Sequence, residues 1–202
     1  MNKRVATQRA WQRMLSGRRL DLLDPSPLDI EIADIAHGLA RVARWNGQTH
    51  GPHIFSVAQH SLLVEAIVRA VAPESGRILR LQALLHDAPE YVVGDIISPF
   101  KAVIGEAYKA TETRILGAVC LRFGLPAAPS AAAAKLLKAA DRTAAFHEAT
   151  NLAGFAMDEA RKYFGRPEVT PQGLADLLRP LSSEEAQARF LARFDEIDGT
   201  VS

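Results

Sequence analysis

The chain has 202 residues, of which 48% are hydrophobic and 23% charged, and this ordinary globular composition excludes intrinsic disorder, collagen-like repeats and a disulfide scaffold. The formal net charge is +1, with 24 basic against 23 acidic residues, so no overall field favours nucleic acid or an anionic membrane as a partner. One cysteine, no apolar run of about 18 residues and an N-terminus without a signal-peptide core predict a cytoplasmic protein.

Apolar residues recur mainly at helical spacing, and no useful segment alternates with a period of two, so the predicted fold class is all-α. In chain order, a first helix is predicted over about 5–15, ending near Gly17, and a second over about 32–42. The Asn-Gly and Gly-Pro pairs in 46–52 predict a loop. A longer helix is predicted over about 54–71, and it carries the first residue of chemical interest.

The second half of the chain is predicted to be helical as well. A largely buried helix is predicted over about 77–88 and should end or kink at Pro89, which cannot donate a backbone hydrogen bond. Ser98-Pro99 predicts the start of a helix that lasts to about 123. Two further N-caps are Ser130, before an Ala-rich helix, and Ser182 with Glu185, before the C-terminal helix. No repeat or domain boundary is visible, so residues 1–202 are predicted to form one domain.

Four polar residues fall on faces that the pattern marks as interior. They are His60, aligned with Val57, Val64 and Ile67; His86 and Asp87, aligned with Leu79, Ala83 and Leu84; and Asp141, aligned with Leu137, Ala140 and Ala144. A buried carboxylate without a partner costs several kcal/mol, and no Lys or Arg shares these stripes. Imidazole and carboxylate are common ligands of divalent ions. A bound metal ion would therefore satisfy all four groups together.

Each residue taken alone has a simpler interpretation. A His-Asp dipeptide arises by chance in roughly a third of chains with this composition. His60 alone is more often a hydrogen-bonded core histidine, and Asp141, followed by Arg142, could form a surface ion pair. The joint pattern is what favours a metal site.

The segments FSVAQHSLLV, LLHDAPEYVVGD and KAADRTAAF together resemble the H…HD…D signature of HD-superfamily metal-dependent phosphohydrolases. Within that superfamily they resemble the bacterial 5'-deoxynucleotidase-like group. The resemblance spans about 41–147, with the N- and C-terminal helices packed on this core. It implies an HD-domain-like helical bundle with a metal site between central helices. By this resemblance the ligands of one divalent ion (Mn, Co, Ni, Fe, Zn or Mg) are His60, His86, Asp87 and Asp141.

The same resemblance assigns roles to residues around that ion. The catalytic residues would be Asp87, through the ion, and Glu90, as a general acid/base or water-positioning group, which is worth about 10²–10⁴-fold in rate. Arg44 and Lys101 would contact phosphate, Trp45 would form an aromatic wall for the base, and Asp95 would bind the sugar hydroxyl. From the residues alone, an exposed helix-end charge is the favoured interpretation of Glu90, and Asp95 could be an ordinary loop residue. Trp45 is equally a core aromatic, and Lys101 is equally a solvated lysine.

The sequence also departs from that group. Gln59 stands where the group has glutamate, the segment from Trp45 to His60 is longer, and the opening of the chain resembles a less characterised branch of bacterial HD hydrolases. No histidine lies between Asp87 and Asp141, so the sequence predicts one ion rather than two.

The leading hypothesis is hydrolysis of a (deoxy)nucleoside 5'-monophosphate to nucleoside and phosphate. The alternatives are a deoxynucleoside triphosphate triphosphohydrolase, for which Arg18, Arg19 and Arg41 could supply further cations, and a nucleotide-sensing module that binds metal without turnover. A plain helical scaffold would leave the four inward polar residues without a reason. The expected partner is a nucleotide substrate, with no nucleic acid and no membrane, and a homodimer is the assembly that the group suggests.

Overall fold

A computed structural model describes residues 9–97, 100–101, 103 and 105–199. Helices dominate these residues, which confirms the all-α prediction. The α-helices are α1 (Ile32–Leu39), α2 (Val57–Val71), α3 (Arg77–Leu84), α4 (Glu90–Val93), α5 (Glu106–Arg122), α6 (Ala131–Asn151), α7 (Met157–Phe164), α8 (Leu174–Leu177) and α9 (Ser183–Asp198). Short 3-10 turns lie at Pro27–Asp29 and Arg44–Gly47. Among the helices described, none combines the length and the apolar character needed to cross a membrane.

The described N-terminus forms a small hairpin, so the predicted helix over 5–15 is wrong where it can be compared. Strands β1 (Trp11–Arg13) and β2 (Arg19–Asp21) pair antiparallel, while residues 1–8 lie outside the described part. Gly17, with a φ of 93°, turns the chain between them. The Trp11 ring lies under the guanidinium groups of Arg9 and Arg19, at 4.1 and 3.9 Å. These contacts favour paired strands over the local helical pattern.

Helix α2 is the central element of the bundle. Eleven of its fifteen residues are buried, because it packs against α3, α6 and α9. Ser56 caps its first turn by accepting a hydrogen bond from the Gln59 backbone N–H. Apolar clusters flank it, one built around α1, α3, α5 and α9 and the other around α2, α6 and the segment near Leu178. A polar side chain in the middle of α2 is therefore held in the interior.

The segment after α3 differs from the prediction. The helix ends at Leu84 rather than near 88, so His86 and Asp87 lie in a turn, and Pro89 caps the short helix α4. Helix α4 packs closely on α1 at Gly38, where a Cβ atom would lie 2.7 Å from the Tyr91 Cβ and 2.9 Å from the Tyr91 carbonyl oxygen. This close contact holds the first residue of α4, Glu90, in a defined place.

Two further differences concern the second half of the chain. The predicted cap Ser98-Pro99 lies outside the described residues, and the predicted helix to 123 is interrupted at Gly105, where φ is 81°. Lys101 is helical before this break, and α5 begins after it. Helix α6 begins after Ser130, as predicted. Helix α7 was not predicted.

Candidate metal centre

His60 lies in the middle of α2 and is fully buried. Its Nδ1 contacts the Glu148 Oε1 atom at 2.5 Å. Its Nε2 lies 3.2 Å from Asp141 Oδ1 and 3.5 Å from Asp87 Oδ2, yet it makes no well-oriented hydrogen bond to a described residue. A buried polar atom without a partner is costly. The imidazole therefore presents one unsatisfied nitrogen to two carboxylates.

His86 approaches the same point from the turn after α3. Its Nδ1 lies 2.9 Å from the Ala83 carbonyl oxygen, and because a carbonyl only accepts, Nδ1 carries the hydrogen. Its Nε2 lies 3.2 Å from Asp87 Oδ2 and, like that of His60, is buried without a hydrogen bond to the described part of the chain. The two imidazole rings are 5.2 Å apart. Both histidines thus direct an unsatisfied nitrogen to one place.

Asp141 completes the cluster from α6. One potential ligand atom from each of His60, His86 and Asp141 lies within 4.8 Å of the others. The neighbouring Ala140 and Ala144 are buried, and their small side chains let α6 lie close to α2. The structure therefore brings together the four residues that the sequence analysis selected from three separate segments.

The protein alone balances the charge of this cluster with a proton. Burial and the charge of Arg44 lower the pKa of His60, but Glu148 and Asp141 more than offset this and raise it to about 10. Burial would raise the pKa of Asp87, but the adjacent His86 and His60 hold it well below its ordinary value. A metal cation at the same point would take the place of that proton, as ligand groups must be deprotonated to bind.

The residues present fit such an ion. Two imidazole nitrogens and two carboxylate oxygens suit first-row divalent ions, and a four-ligand set leaves positions open on a six-coordinate ion, as catalytic sites require. The buried Nε2 atoms, which have no hydrogen bond to the described chain, are what an ion would satisfy. We assign the cluster as a candidate metal centre on this ground.

Glu90 begins α4 beside the cluster and is 3% exposed. Its Oε1 lies 3.6 Å from Lys101 Nζ, and its Oε2 is buried without a hydrogen bond to the described residues. Burial, together with the charges of Asp87 and Asp95, raises the pKa of Glu90 to about 9. In the protein without metal, Glu90 therefore holds a proton at neutral pH. A buried, proton-bearing carboxyl is a suitable general acid.

The cationic residues that the sequence predicts to contact substrate lie beside the centre, where each is paired with carboxylates. Arg44 Nη1 donates to Asp95 Oδ2 at 3.0 Å, and Arg44 Nε lies 3.4 Å from Glu148 Oε2. Lys101 Nζ donates to Glu112 Oε1 at 3.0 Å. Both cations predicted to contact phosphate are thus already paired with carboxylates.

Trp45 lies in an aromatic cluster and not alone in a cleft. Its ring packs on Phe155 and Phe164, with centroids 5.6 and 5.8 Å away, and its Nε1–H donates to Glu148 Oε2 at 2.8 Å. The Arg44–Gly47 turn is strained, because Trp45 and Asn46 have φ values of 57° and 50°, which are uncommon for residues with a Cβ. Two backbone hydrogen bonds hold this turn against the start of α2. The Arg44 N–H donates to the Phe55 carbonyl, and the Val57 N–H donates to the Val42 carbonyl.

Gln59, the departure from the resembling group, has a structural explanation. Its Nε2 donates to the Arg179 carbonyl at 2.7 Å and its Oε1 accepts from the Leu181 N–H at 3.2 Å. An amide can both donate and accept, whereas a glutamate carboxylate only accepts. Gln59 therefore ties α2 to the segment before α9.

Sequence reasoning missed Glu148, which is fully buried on α6 and contacts His60, Arg44 and Trp45. A signal was available, because Glu148 is seven residues after Asp141 and seven residues is close to two helical turns. It therefore lies on the same face of α6 as the predicted ligand.

Comparisons with known proteins agree with this geometry. The profile of a family described as HD domain matches residues 57–145, a range that includes His60, His86, Asp87 and Asp141. The chain is similar to an uncharacterized protein of Rhodobacter capsulatus, 58% identical over 187 residues, which is 92% of this chain and 94% of that protein. It is also similar to the uncharacterized protein YfdR of Escherichia coli K12, 37% identical over 98 residues, or 48% of this chain and 49% of YfdR.

Proposed function

Because the chain belongs to the HD domain family, whose members are generally metal-dependent phosphohydrolases, we propose that it hydrolyses the phosphate ester of (deoxy)nucleoside 5'-monophosphates. The observation that carries the proposal is the pair of buried Nε2 atoms of His60 and His86, which face the carboxylates of Asp87 and Asp141. In this proposal those four residues hold one divalent ion. When bound, the ion supplies charge neutralisation and a water-derived nucleophile at neutral pH.

Glu90 is the proton donor or water-positioning residue of the proposed reaction. Its carboxyl is buried, and in the metal-free protein its pKa is raised to about 9. In the proposed reaction it protonates the oxygen of the departing nucleoside, which would otherwise leave as a costly alkoxide. A module that only senses nucleotides needs no such group. Glu90 is therefore the residue that favours turnover over the non-catalytic alternative.

The charges near the centre favour one phosphate over three. The cations that ion-pair with its carboxylates are Arg44, held by Asp95 and Glu148, and Lys101, held by Glu112 and Glu90. Three other arginines considered for a phosphate chain are occupied elsewhere: Arg18 pairs with Glu31, Arg19 stacks on Trp11, and Arg41 pairs with Glu184. These three arginines contact residues away from the centre, whereas Arg44 and Lys101 contact Glu148 and Glu90 beside it, so we take a monophosphate as the substrate.

In the proposed complex, Lys101 balances the charge of the single phosphate and Asp95 accepts a hydrogen bond from a sugar hydroxyl. Arg44 orients Asp95 through their 3.0 Å contact and, in this proposal, also contacts the phosphate. The Trp45 ring, supported by Phe155 and Phe164, borders the space for the base.

The test is a substrate panel with chelator-stripped protein reloaded with Mn, Co, Ni, Fe, Zn or Mg in turn. Ribo- and deoxynucleoside mono- and triphosphates are supplied, and ³¹P NMR identifies the product. We expect inorganic phosphate from monophosphates with at least one metal and none from the stripped protein. If tripolyphosphate is the product, the substrates are nucleoside triphosphates and the monophosphate proposal is wrong. If metal-bound protein yields no product, catalysis on nucleotides is refuted.

A further inference from the structure

Glu148 contacts both the proposed metal ligand His60 and the strained Arg44–Gly47 turn. We propose that Glu148 is a positioning residue that fixes the orientation and tautomer of His60, so that only Nε2 can bind the ion. The Arg44–Gly47 turn holds Glu148 in place. The inference rests on the proposed function in one respect, since it takes His60 to be an ion ligand.

Glu148 determines which ring nitrogen of His60 carries a hydrogen. Glu148 Oε1 lies 2.5 Å from His60 Nδ1, and a carboxylate oxygen only accepts, so Nδ1 must carry the hydrogen. In the neutral imidazole that binds an ion, the lone pair then resides on Nε2, the atom that faces Asp87 and Asp141. A carboxylate behind a ligating histidine also increases the basicity of the ligand nitrogen.

Glu148 is held in place by Trp45 and Arg44 of the strained turn. Its other oxygen, Oε2, accepts from Trp45 Nε1 at 2.8 Å and lies 3.4 Å from Arg44 Nε and Nη2. The Trp45 ring is fixed by its aromatic neighbours, and its backbone adopts a φ of 57°. Strain of this kind persists only where the surroundings over-determine it. The two carboxylate oxygens thus serve two separate sets of donors.

A different role has to be separated from this one, namely that Glu148 only neutralises the buried Arg44. Arg44 has a second carboxylate, Asp95, at 3.0 Å, so its charge does not depend on Glu148 alone. A neutralising residue would affect folding stability and leave the affinity of the centre for metal unchanged. A positioning residue would affect the affinity itself.

The chain offers a matched control in Glu65, another buried carboxylate on a central helix. Glu65 is 2% exposed and paired with Arg80 and Arg193, but its contacts are not with the metal-centre residues. Glu148→Gln and Glu65→Gln each replace a buried charge with a nearly isosteric amide. The amide introduced by Glu148→Gln would have one oxygen for two sets of donors, so it would satisfy either His60 or the turn.

The experiment measures the dissociation constant for Zn²⁺ and for Mn²⁺ by competition with a fluorescent chelator, and the unfolding midpoint in EDTA. We expect Glu148→Gln to weaken metal binding by about 10- to 100-fold, and Glu65→Gln to lower the unfolding midpoint without changing the affinity. Histidine ¹⁵N NMR of the Zn²⁺-loaded wild type should show His60 with its hydrogen on Nδ1. Equal affinity in wild type and Glu148→Gln, or a hydrogen on Nε2, would overturn the inference.

A second variant keeps the test decisive if Glu148→Gln does not fold. Trp45→Phe removes the indole N–H that donates to Oε2 and keeps an aromatic ring between Phe155 and Phe164. We expect Trp45→Phe to bind Zn²⁺ and Mn²⁺ more weakly than the wild type does, and unchanged affinity would overturn the role of the turn. Wild-type protein that binds no divalent ion would refute the proposed function itself, whereas metal-binding wild type with unaffected variants refutes this inference alone.

Discussion

Helix α2 carries two buried charged groups five residues apart, His60 and Glu65, and the surrounding protein satisfies them in opposite ways. Glu65 Oε1 accepts from Arg80 Nε at 3.0 Å and from Arg193 Nη2 at 2.7 Å, and its Oε2 accepts from Arg193 Nε at 2.8 Å. Both oxygens of this buried carboxylate are thus paired with guanidinium donors. The cluster joins α2 to α3 and α9 and is complete without any ligand.

Around His60 the protein leaves buried polar atoms without hydrogen bonds to the described residues. His60 and His86 each have a buried Nε2 without a hydrogen bond to the described residues, and Glu90 has such an oxygen. The carboxylates of Asp87 and Asp141 lie near these nitrogens. Among the described residues, they are not paired with guanidinium groups in the way that Glu65 is paired with Arg80 and Arg193. Burial of a charge therefore does not by itself indicate function. What indicates function here is that two buried imidazole nitrogens without hydrogen bonds to the described residues converge with two carboxylates at one place.

Asp87→Ala tests this contrast most severely. If the ion supplies several kcal/mol of transition-state stabilisation, loss of a ligand should lower kcat/KM for the best nucleotide by at least about 10³-fold. Glu65→Gln should keep kcat/KM near the wild-type value, measured at a temperature where both variants are folded. Retention of more than a tenth of the activity by Asp87→Ala would contradict the metal mechanism.

The converse change should affect stability instead of activity. Glu65→Gln leaves the guanidinium groups of Arg80 and Arg193 facing a neutral amide in a partly buried place, and we expect a loss of about 3 kcal/mol of unfolding free energy. Asp141→Asn, compared in EDTA, should lose less, because the Asp141 side chain is 42% exposed and water weakens its interaction with His60. Urea denaturation of the two variants gives the comparison, and equal losses would show that the two clusters are not different in kind.

The sequence predicted the cluster around His60 but not the cluster around Glu65. His60, His86, Asp87 and Asp141 could be selected because each interrupts an apolar stripe, and a stripe is a local property of the chain. Glu65 and Glu148 also lie on buried helices, but their partners are remote: Arg193 lies 128 positions from Glu65, and His60 lies 88 positions from Glu148. Helical spacing places Glu148 on the same face as Asp141, but the side chains with which Glu148 and Glu65 pair are determined by the packed bundle.

The same reasoning explains which elements were predicted. The helices with long apolar stripes, α2 and α6, were predicted to within about three residues at their starts. The hairpin β1–β2 was predicted as helix because its stability comes from the stacking of Arg9 and Arg19 on Trp11 and from Ser16, which donates to Asp34 at 2.5 Å. Those contacts join residues that local periodicity does not relate.

A more modest effect distinguishes the two clusters by their response to metal. A divalent ion that binds only the folded protein should raise the unfolding free energy by about 2.7 kcal/mol at a free concentration of 100 times its Kd. Wild type and Glu65→Gln should both gain this amount, while Asp87→Ala should gain little. Thermal unfolding with and without EDTA provides the measurement. A gain of equal size in Asp87→Ala would place the ion elsewhere.

The weakest of these effects concerns pH and the unpaired carboxyl of Glu90. Burial, Asp87 and Asp95 raise the pKa of Glu90 from 4.5 to about 9 in the folded, metal-free protein. Between these values the unfolded chain has released the proton while the folded chain keeps it. The folded state therefore binds more protons, and its stability falls as the pH rises. From pH 6 to pH 7 this loss is about 1.4 kcal/mol for one proton.

Glu90→Gln removes this titration and nearly preserves the side-chain shape. Because His60 titrates in the same cluster, the quantity to compare is the wild-type unfolding free energy in EDTA minus that of Glu90→Gln, at each pH. This difference should become less favourable to the wild type on going from pH 6 to pH 7. Glu65→Gln, measured in the same way, is the control for the loss of a buried carboxylate that is paired with guanidinium groups away from the metal centre. A flat difference for Glu90→Gln would mean that Glu90 is already ionised in the metal-free protein and would contradict its raised pKa.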